Sequence, residues 1–516
     1  MLKIEHLTII HKRDLRTILR DFSLVLNRGD KTVLIGEEGN GKSTLLKWIF
    51  DPRLVEGYAE TEGTRTAQGE LLGYLPQELP EEEKEKSIWE YFSDLTAFHE
   101  ATAADLRKLS SELCLADDVF WSEQKMGALS GGERVKLQMA GVLLARPDVL
   151  LLDEPSNDVD LETLSWLEEL ISGFPGAVLY ISHDETLIER TANRIILIEH
   201  LRRKTVPRVT VANMPYRVFV EERRRAFDKQ EQEAVSERRE EKKAMERFRR
   251  IEQAVEQGQR NISRQDPHGG RLLKKKMKAV RSMERRYERE HGEMTEFPEE
   301  ESAIDIRFTR QKAMPAGKTV LDITLPELVA VSGQRLARNV TLNVKGPEKI
   351  CIVGSNGCGK TTLIRTIAEE LCRRTDVTAC YMPQNYEEIL PFDITPVDYL
   401  APSGEKEEVA TARTFLGAMK YTAEEMFHPA GELSGGQKAK LLLLKISLTE
   451  ADVLILDEPT RNLSPLSGPE IREILKEFPG AIISVSHDRK YISEVCDRIY
   501  RLMPDGLSPA DAERIT

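Results

Sequence analysis

The pattern of apolar and polar positions divides the chain into three stretches. Near the start, Ile18-Leu19-Arg20-Asp21-Phe22-Ser23-Leu24-Val25-Leu26 alternates closely enough to predict a half-buried strand. Lys31–Ile35, Val149–Leu152 and Val178–Ile181 are short, nearly unbroken apolar runs, which predicts strands buried on both faces. Helices are predicted between them at Thr44–Phe50 and Arg134–Ala145, and a further apolar strand at Val453–Leu456. From Glu221 to Phe297 the period changes. Met245, Phe248, Ile251 (or Glu252) and Val255 form one stripe, and Leu273, Met277, Val280, Met283 and Tyr287 another. Spacings of three and four on so narrow a stripe predict two helices paired antiparallel. Gln265-Asp266-Pro267-His268-Gly269-Gly270 interrupts them as a turn. An arm of about 40 residues would reach about 60 Å.

Composition changes this picture in two places. The chain has 516 residues, 40% hydrophobic and 31% charged, enough for two or three soluble domains. No apolar run approaches the roughly 20 residues of a membrane span. Met1-Leu2-Lys3-Ile4-Glu5 carries no export signal, so a cytoplasmic protein is expected. The six cysteines are scattered with no Cys-x-x-Cys pair, which argues against a zinc or iron–sulfur site and fits a reducing compartment. The net charge of −13 speaks against broad nucleic-acid binding. Yet 221–296 holds 22 basic and 17 acidic residues. Within Gly258–Met283 the imbalance is sharper: Arg260, Arg264, Arg271, Lys274, Lys275, Lys276, Lys278 and Arg281 face one acid, Asp266. A solvated helix face is the plainer account of a charge run. Concentration at the bend of a hairpin instead favours contact with RNA phosphates. The bend has no Phe, Trp or Tyr, so a base-stacking platform is not indicated.

The candidate chemistry lies outside this segment. Gly36-Glu37-Glu38-Gly39-Asn40-Gly41-Lys42-Ser43, followed by Thr44, sits between a strand and a helix as a phosphate-binding loop. Its glycines let backbone N–H groups turn inward, Lys42 reaches the β and γ phosphates, and Ser43 ligates magnesium. Gly73-Tyr74-Leu75-Pro76-Gln77 offers a glutamine that alone would carry little weight. Leu129-Ser130-Gly131-Gly132-Glu133 opens a helix and reads as an anion site or an ordinary helix cap. The strand 149–152 ends in Asp153-Glu154, a carboxylate for magnesium and one for a water. Strand 178–181 ends in Ser182-His183-Asp184.

The same order returns once. Gly354-Ser355-Asn356-Gly357-Cys358-Gly359-Lys360-Thr361, with Thr362 after it, is a second phosphate loop. Tyr381-Met382-Pro383-Gln384, Leu433-Ser434-Gly435-Gly436-Gln437, Asp457-Glu458 and Ser486-His487-Asp488 complete the set. The two lysines lie 318 positions apart and the two signature serines 304. A duplicated domain is the reading: α/β, residues 1–216 and 301–516, joined by a helical hairpin at 217–300.

The five motifs in this order resemble ATP-binding cassette (ABC) ATPases. Two cassettes on one chain with a charged helical hairpin between them resemble the ABC-F subfamily. The resemblance implies two P-loop ABC nucleotide-binding domains, ATP and Mg2+ as cofactors, and ATP sandwiched head to tail. One site would join Lys42, Ser43, Asp153 and Glu154 to Ser434-Gly435-Gly436. The other would join Lys360, Thr361, Asp457 and Glu458 to Ser130-Gly131-Gly132. Ser43, Gln77, Asp153, Thr361, Gln384 and Asp457 would surround the metal. Glu154 and Glu458 would polarise water, and His183 and His487 would hold the γ-phosphate. The resemblance further implies a monomer on the ribosome, near its tRNA exit site, with the linker aimed toward the peptidyl-transferase centre and no transmembrane subunit. Gln77 to Leu129 spans 52 positions and Gln384 to Leu433 spans 49, leaving little room for the arm that some members insert in the first cassette. With about 16 residues after the last expected strand, this resembles the antibiotic-protection branch (lincosamide, pleuromutilin, streptogramin A) more than the housekeeping translation factors. The rival readings are the tandem ATPase of a membrane importer and a DNA-associated ATPase.

Three departures from the family pattern carry their own expectations. Ser464 stands where the first repeat has Asp160, which predicts unequal sites. An aromatic platform for adenine is not evident. His11 is the nearest candidate in the first repeat and Val331-Ser332 in the second. Cys358 lies inside a phosphate loop, where Lys360 and the loop amides would favour its thiolate.

Overall fold

The computed structural model describes all residues except 68, 202–204, 262–266, 291–307, 309–312, 331–332 and 512–516. Within helices the side chains of 258–261, 267–270, 273 and 288–290 are also outside the description. The chain forms two compact units, Met1–Tyr216 with Glu301–Thr516, and Arg217–Glu300.

In the first repeat the strands are β1 (Leu2–His11), β2 (Thr17–Leu26), β3 (Lys31–Ile35), β4 (Ala59–Ala67), β5 (Leu72–Leu75), β6 (Val149–Asp153), β7 (Ala177–Ile181), β8 (Arg194–His200) and β9 (Val206–Ala212). Every residue of β3, β6 and β7 is buried, as expected for inner strands covered on both faces. They form a six-stranded sheet in the order β5-β6-β7-β3-β8-β9, parallel except for β9. A smaller antiparallel sheet, β2-β1-β4, packs its apolar side into the same core. Because the inner strands run parallel, the loops after β3, β6 and β7 leave the same sheet end. Ligands of open α/β sheets bind at that end.

The second repeat has β10 (Thr319–Val329), β11 (Arg335–Lys345), β12 (Lys349–Val353), β13 (Ala379–Met382), β14 (Val453–Asp457), β15 (Ala481–Val485), β16 (Arg498–Met503) and β17 (Gly506–Ala510). The large sheet repeats the topology as β13-β14-β15-β12-β16-β17. The small sheet here is a two-stranded hairpin, β10-β11. The final strand takes up residues that the sequence pattern leaves after the last strand. Gly506 opens that strand, paired with Met503 across the turn Pro504-Asp505, at φ 129, a backbone shape that favours glycine.

The second unit is a helical pair. One helix runs Tyr216–Asn261 and the other Pro267–Glu290. At 1.5 Å per residue the first is ~69 Å long, beyond the expected reach. Phe248 and Tyr287 meet edge to face at 6.0 Å, and Arg281 lies 3.5 Å from Glu252, so the arms run antiparallel. Glu252, not Ile251, lies on the seam, and Ile251 is 39% exposed. Met283 is likewise exposed, because after the three-residue step Met277–Val280 the heptad needs four, which brings Glu284 inward. Of the expected turn, Gln265 and Asp266 lie outside the described residues and the rest is helical. Pro267 starts the second helix, since its fixed φ and missing N–H suit a first turn, and Gly269-Gly270 lie inside it.

Candidate active site

Each phosphate-loop motif follows an inner strand. β3 leads through 36–41 into the helix Lys42–Phe50, and β12 through 354–359 into Lys360–Arg373. Gly41 and Gly359 cap these helices at φ 83 and 104. A Cβ at Gly41 would overlap Ile18 as well as strain the backbone. The free amides of loop and helix start form an anion cradle. Lys42 donates to the carbonyls of Gly36 and Glu37 at 2.9 and 3.0 Å, and Lys360 to those of Gly354 and Ser355, both at 2.9 Å. Asn40 is turned away from the cradle: its side chain donates to the Ile198 carbonyl in β8 and shares a hydrogen bond with His200.

The carboxylates close the far side. Asp153 accepts from Ser43 Oγ at 2.9 Å and from the Tyr74 hydroxyl at 3.3 Å. Burial raises Asp153 to about 6 against those hydrogen bonds. Burial also raises Asp457 to about 6, with the nearby Thr361 hydroxyl pulling the other way. Both Asp457 oxygens are buried without a hydrogen-bond partner. Oxygens so placed beside a hydroxyl and a phosphate cradle fit a hard divalent cation.

Glu154 and Glu458 follow these aspartates, each with a left-handed backbone at φ 51 and 55. For a non-glycine residue that shape costs about 1 kcal/mol and marks a functional turn. Their surroundings differ. Glu154 accepts from Gln77 at 3.0 Å and from Asn157, and lies 3.3 Å from His183 Nε2. Burial alone would raise it, but His183, Lys42 and Asn157 bring it down to about 2. Glu458 is pushed up to about 8, by burial first and then by Asp457. Its carboxylate accepts from the His487 amide at 3.2 Å. His487 Nε2 stands 3.8 Å away, and burial, then Lys360, lowers that ring to about 3.

The repeats meet across these groups. Ser130 and Gly131 line one cavity of about 820 Å³ together with Lys360, Thr361, Gln384, Asp457, Glu458 and His487. Asn356 of that loop donates to the Asp158 carbonyl at 2.6 Å, and Asp160 accepts from the Asn356 backbone N–H. The opposite cavity is about 270 Å³, lined by Lys42, Ser43, Gln77, Glu154 and His183, with His11, Arg16 and Tyr58 at its mouth. There His183 Nδ1 reaches the Leu463 carbonyl at 2.6 Å, while Ser464 turns inward and accepts from the Leu466 amide. Aspartate and serine thus give the two loops different contacts. Both signature serines are helix N-caps in capping boxes, with Glu133 and Gln437 as partners.

The chain belongs to the ABC transporter family. Its family model matches residues 19–157 and 337–461, covering the main motifs of both cassettes. Along most of its length the chain is similar to ABC transporter F family member 5 of Arabidopsis thaliana, 25% identical over 94% of this chain and 72% of that protein. It is also similar to the ATP-binding protein Uup of Escherichia coli K12, 27% identical over 92% and 76%. The fold is shared with an archaeal ribosome recycling factor solved in complex with a ribosomal stalk protein. There the TM-score is 0.56 and the identity 17%, over 96% of this chain and 87% of that one. The protein is a tandem ABC-type ATPase with ABC-F homologues. Among the described residues no helix is long and apolar enough to cross a membrane.

Two expectations about the cassettes change. Cys358 occupies the inward position that Asn40 holds in the first loop, half-buried against the second core. Burial raises its thiol, outweighing Lys360 and the loop amides, so the thiolate is disfavoured. Tyr58 and Arg16 join His11 at the first cavity. Tyr58 comes after the phosphate loop in sequence, where a search for an upstream aromatic does not look. Val331-Ser332 lie outside the described residues, although Ala330 and Leu336 border the second cavity.

A charged seam between the cassettes had no sequence signal. Arg472 donates to Glu185 at 2.6 Å and to Glu494 at 2.8 Å. Arg489 pairs with Glu168 and, at 3.3 Å, with Asp184. Lys490 pairs with Glu185 and Glu189 at 3.2 and 2.5 Å. The bases all come from the second cassette. The acids are from the first, except Glu494.

Proposed function

We propose that this chain is a ribosome-binding ABC-F ATPase with two composite ATP sites. The observation that carries the reading is the pairing of cassettes with an antiparallel hairpin that is basic near its bend. Arg271, Lys274, Lys275, Lys276 and Lys278 are exposed on the helix Pro267–Glu290, where phosphate could reach them, and Arg281 is exposed beside its partner Glu252. Arg264 lies outside the described residues, and Arg260 belongs to the first helix with its side chain undescribed.

In each site the loop amides and Lys42 or Lys360 would bind the phosphates of ATP. Mg2+ would be held by Ser43 and Asp153 with Gln77, and by Thr361 and Asp457 with Gln384, and would draw charge from the β and γ phosphates. Glu154 and Glu458 would orient the attacking water and accept its proton, and His183 and His487 would hold the γ-phosphate. Catalysis is then positioning and charge stabilisation. The signature amides of the opposite cassette would complete each site on closure, coupling ATP to cassette motion.

The expected residence is the cytoplasm, as a monomer, at rRNA and tRNA near the exit site. The linker would act toward the peptidyl-transferase centre and protect the ribosome against lincosamides, pleuromutilins or streptogramins A. Growth of a host expressing the chain across these drugs tests that branch: a raised tolerance to at least one class is expected. No shift for any of them assigns the housekeeping translation role instead. Fractionation with membranes rather than ribosomes would favour the importer reading.

A further inference from the structure

The first phosphate loop does something the second does not. Its residues Glu37 and Glu38 stand where the second loop has Ser355 and Asn356. Glu38 Oε2 accepts the Gly436 N–H at 2.6 Å, at the start of the signature helix Gly435–Leu448. Glu37 lies 3.2 Å from Lys440, which is 5% exposed on the same helix, and accepts from Ser467 at 3.4 Å. A carboxylate on a helix-start amide is a short, charge-assisted bond in the position where that helix would receive a phosphate oxygen. The matching base of the other signature helix, Lys136, instead lies over the Trp166 ring. The cavities follow suit: about 820 Å³ where Ser130 and Gly131 face Lys360, about 270 Å³ at Lys42 with no signature residue on its wall.

We propose that Glu38 is a built-in surrogate for the γ-phosphate, holding the signature of the second cassette until ATP displaces it from the first site. Glu37 and Lys440 anchor the loop in that pose. A carboxylate and a phosphate cannot share one amide, and their charges repel, so ATP must expel Glu38 to close this site. ADP, which has no γ-phosphate, has no such competitor. The first site therefore discriminates against ATP relative to the second. This inference rests on the composite-site reading above.

The test is equilibrium binding of Mg-ATP and Mg-ADP to the full chain. Lys360→Ala silences the second site, and Glu38→Gln is then added. The glutamine keeps size and removes charge, so ATP binding at the first site should tighten about tenfold while ADP binding stays within twofold. Glu38→Asn, the residue of the second loop, should act alike. Unchanged ATP affinity in both Glu38 variants, or equal tightening of ATP and ADP, overturns the surrogate and leaves the composite sites standing. Full ATP binding in the Lys42→Ala, Lys360→Ala double variant overturns the composite sites themselves.

Discussion

Glu154 and Glu458 hold matching positions yet should respond oppositely to one substitution, Glu→Gln. Glu458 is raised to about 8 in the folded protein, from 4.5. Between pH 4.5 and 8 the folded state therefore keeps a proton that the unfolded state has lost. Its contribution to stability is complete below pH 4.5 and is lost as pH rises through 8. A shift of about 3.5 units at 1.36 kcal/mol each makes that loss roughly 5 kcal/mol. Glutamine mimics the protonated acid, so Glu458→Gln should match the wild type near pH 5, exceed it increasingly up to about pH 8 and keep a constant margin above that. At roughly 2–4 °C per kcal/mol for one cassette of about 200 residues, the gain in Tm is ~10 °C or more where the second cassette unfolds as its own transition. Glu154, lowered to about 2, behaves in the reverse sense. Its stabilisation is present above pH 4.5 and lost as pH falls through 2, so Glu154→Gln should cost roughly 3 kcal/mol at pH 7. The assay is thermal unfolding of the nucleotide-free full chain from pH 5 to 9. Equal, pH-independent shifts for the two variants would refute the claim that their environments differ.

Three further outcomes are expected. Arg472→Ala takes from Glu185, buried at 7% exposure, its 2.6 Å partner and leaves it Lys490, so the protein should be destabilised by about 2–4 kcal/mol, seen as a drop in Tm, with Glu185→Ala similar in size. Alkylation followed by mass spectrometry at pH 7 should label the exposed Cys114 before Cys358, with ATP slowing Cys358 further. Labelling of Cys358 first would restore the activated-thiolate view. Replacing Lys274, Lys275 and Lys276 by Ala should weaken ribosome binding and flatten its dependence on log salt by about 2–3, as loss of three phosphate contacts requires. An unchanged slope would place those lysines away from RNA.

Much of the architecture was legible because its signals are local. The runs 31–35, 149–152 and 453–456 could only be inner strands, and the loop motifs after them set the direction of the sheet. β4 was missed because Ala59–Ala67 is mostly polar and exposed, with no apolar run to announce it. The hairpin was readable in kind but not in phase, since choosing Glu252 over Ile251 depends on the partner arm. The site divides in the same way. Motif order singled out the lysines, aspartates, glutamates and histidines that line the two cavities. It could not show that Cys358 points inward, because phosphate-loop glycines fix the path of the backbone and not what lies beneath it. Nor could it show Glu38 on Gly436, 398 positions away, or the Arg472–Glu185 seam. Those contacts exist only once two cassettes have folded against each other.

The most direct measurement is sedimentation of the Glu154→Gln, Glu458→Gln chain with ribosomes, with and without ATP. Without a catalytic carboxylate at either site the closed, ATP-loaded state should persist, and the variant should travel with ribosomes only when ATP is present. A variant that binds ATP but sediments free of ribosomes would contradict the account.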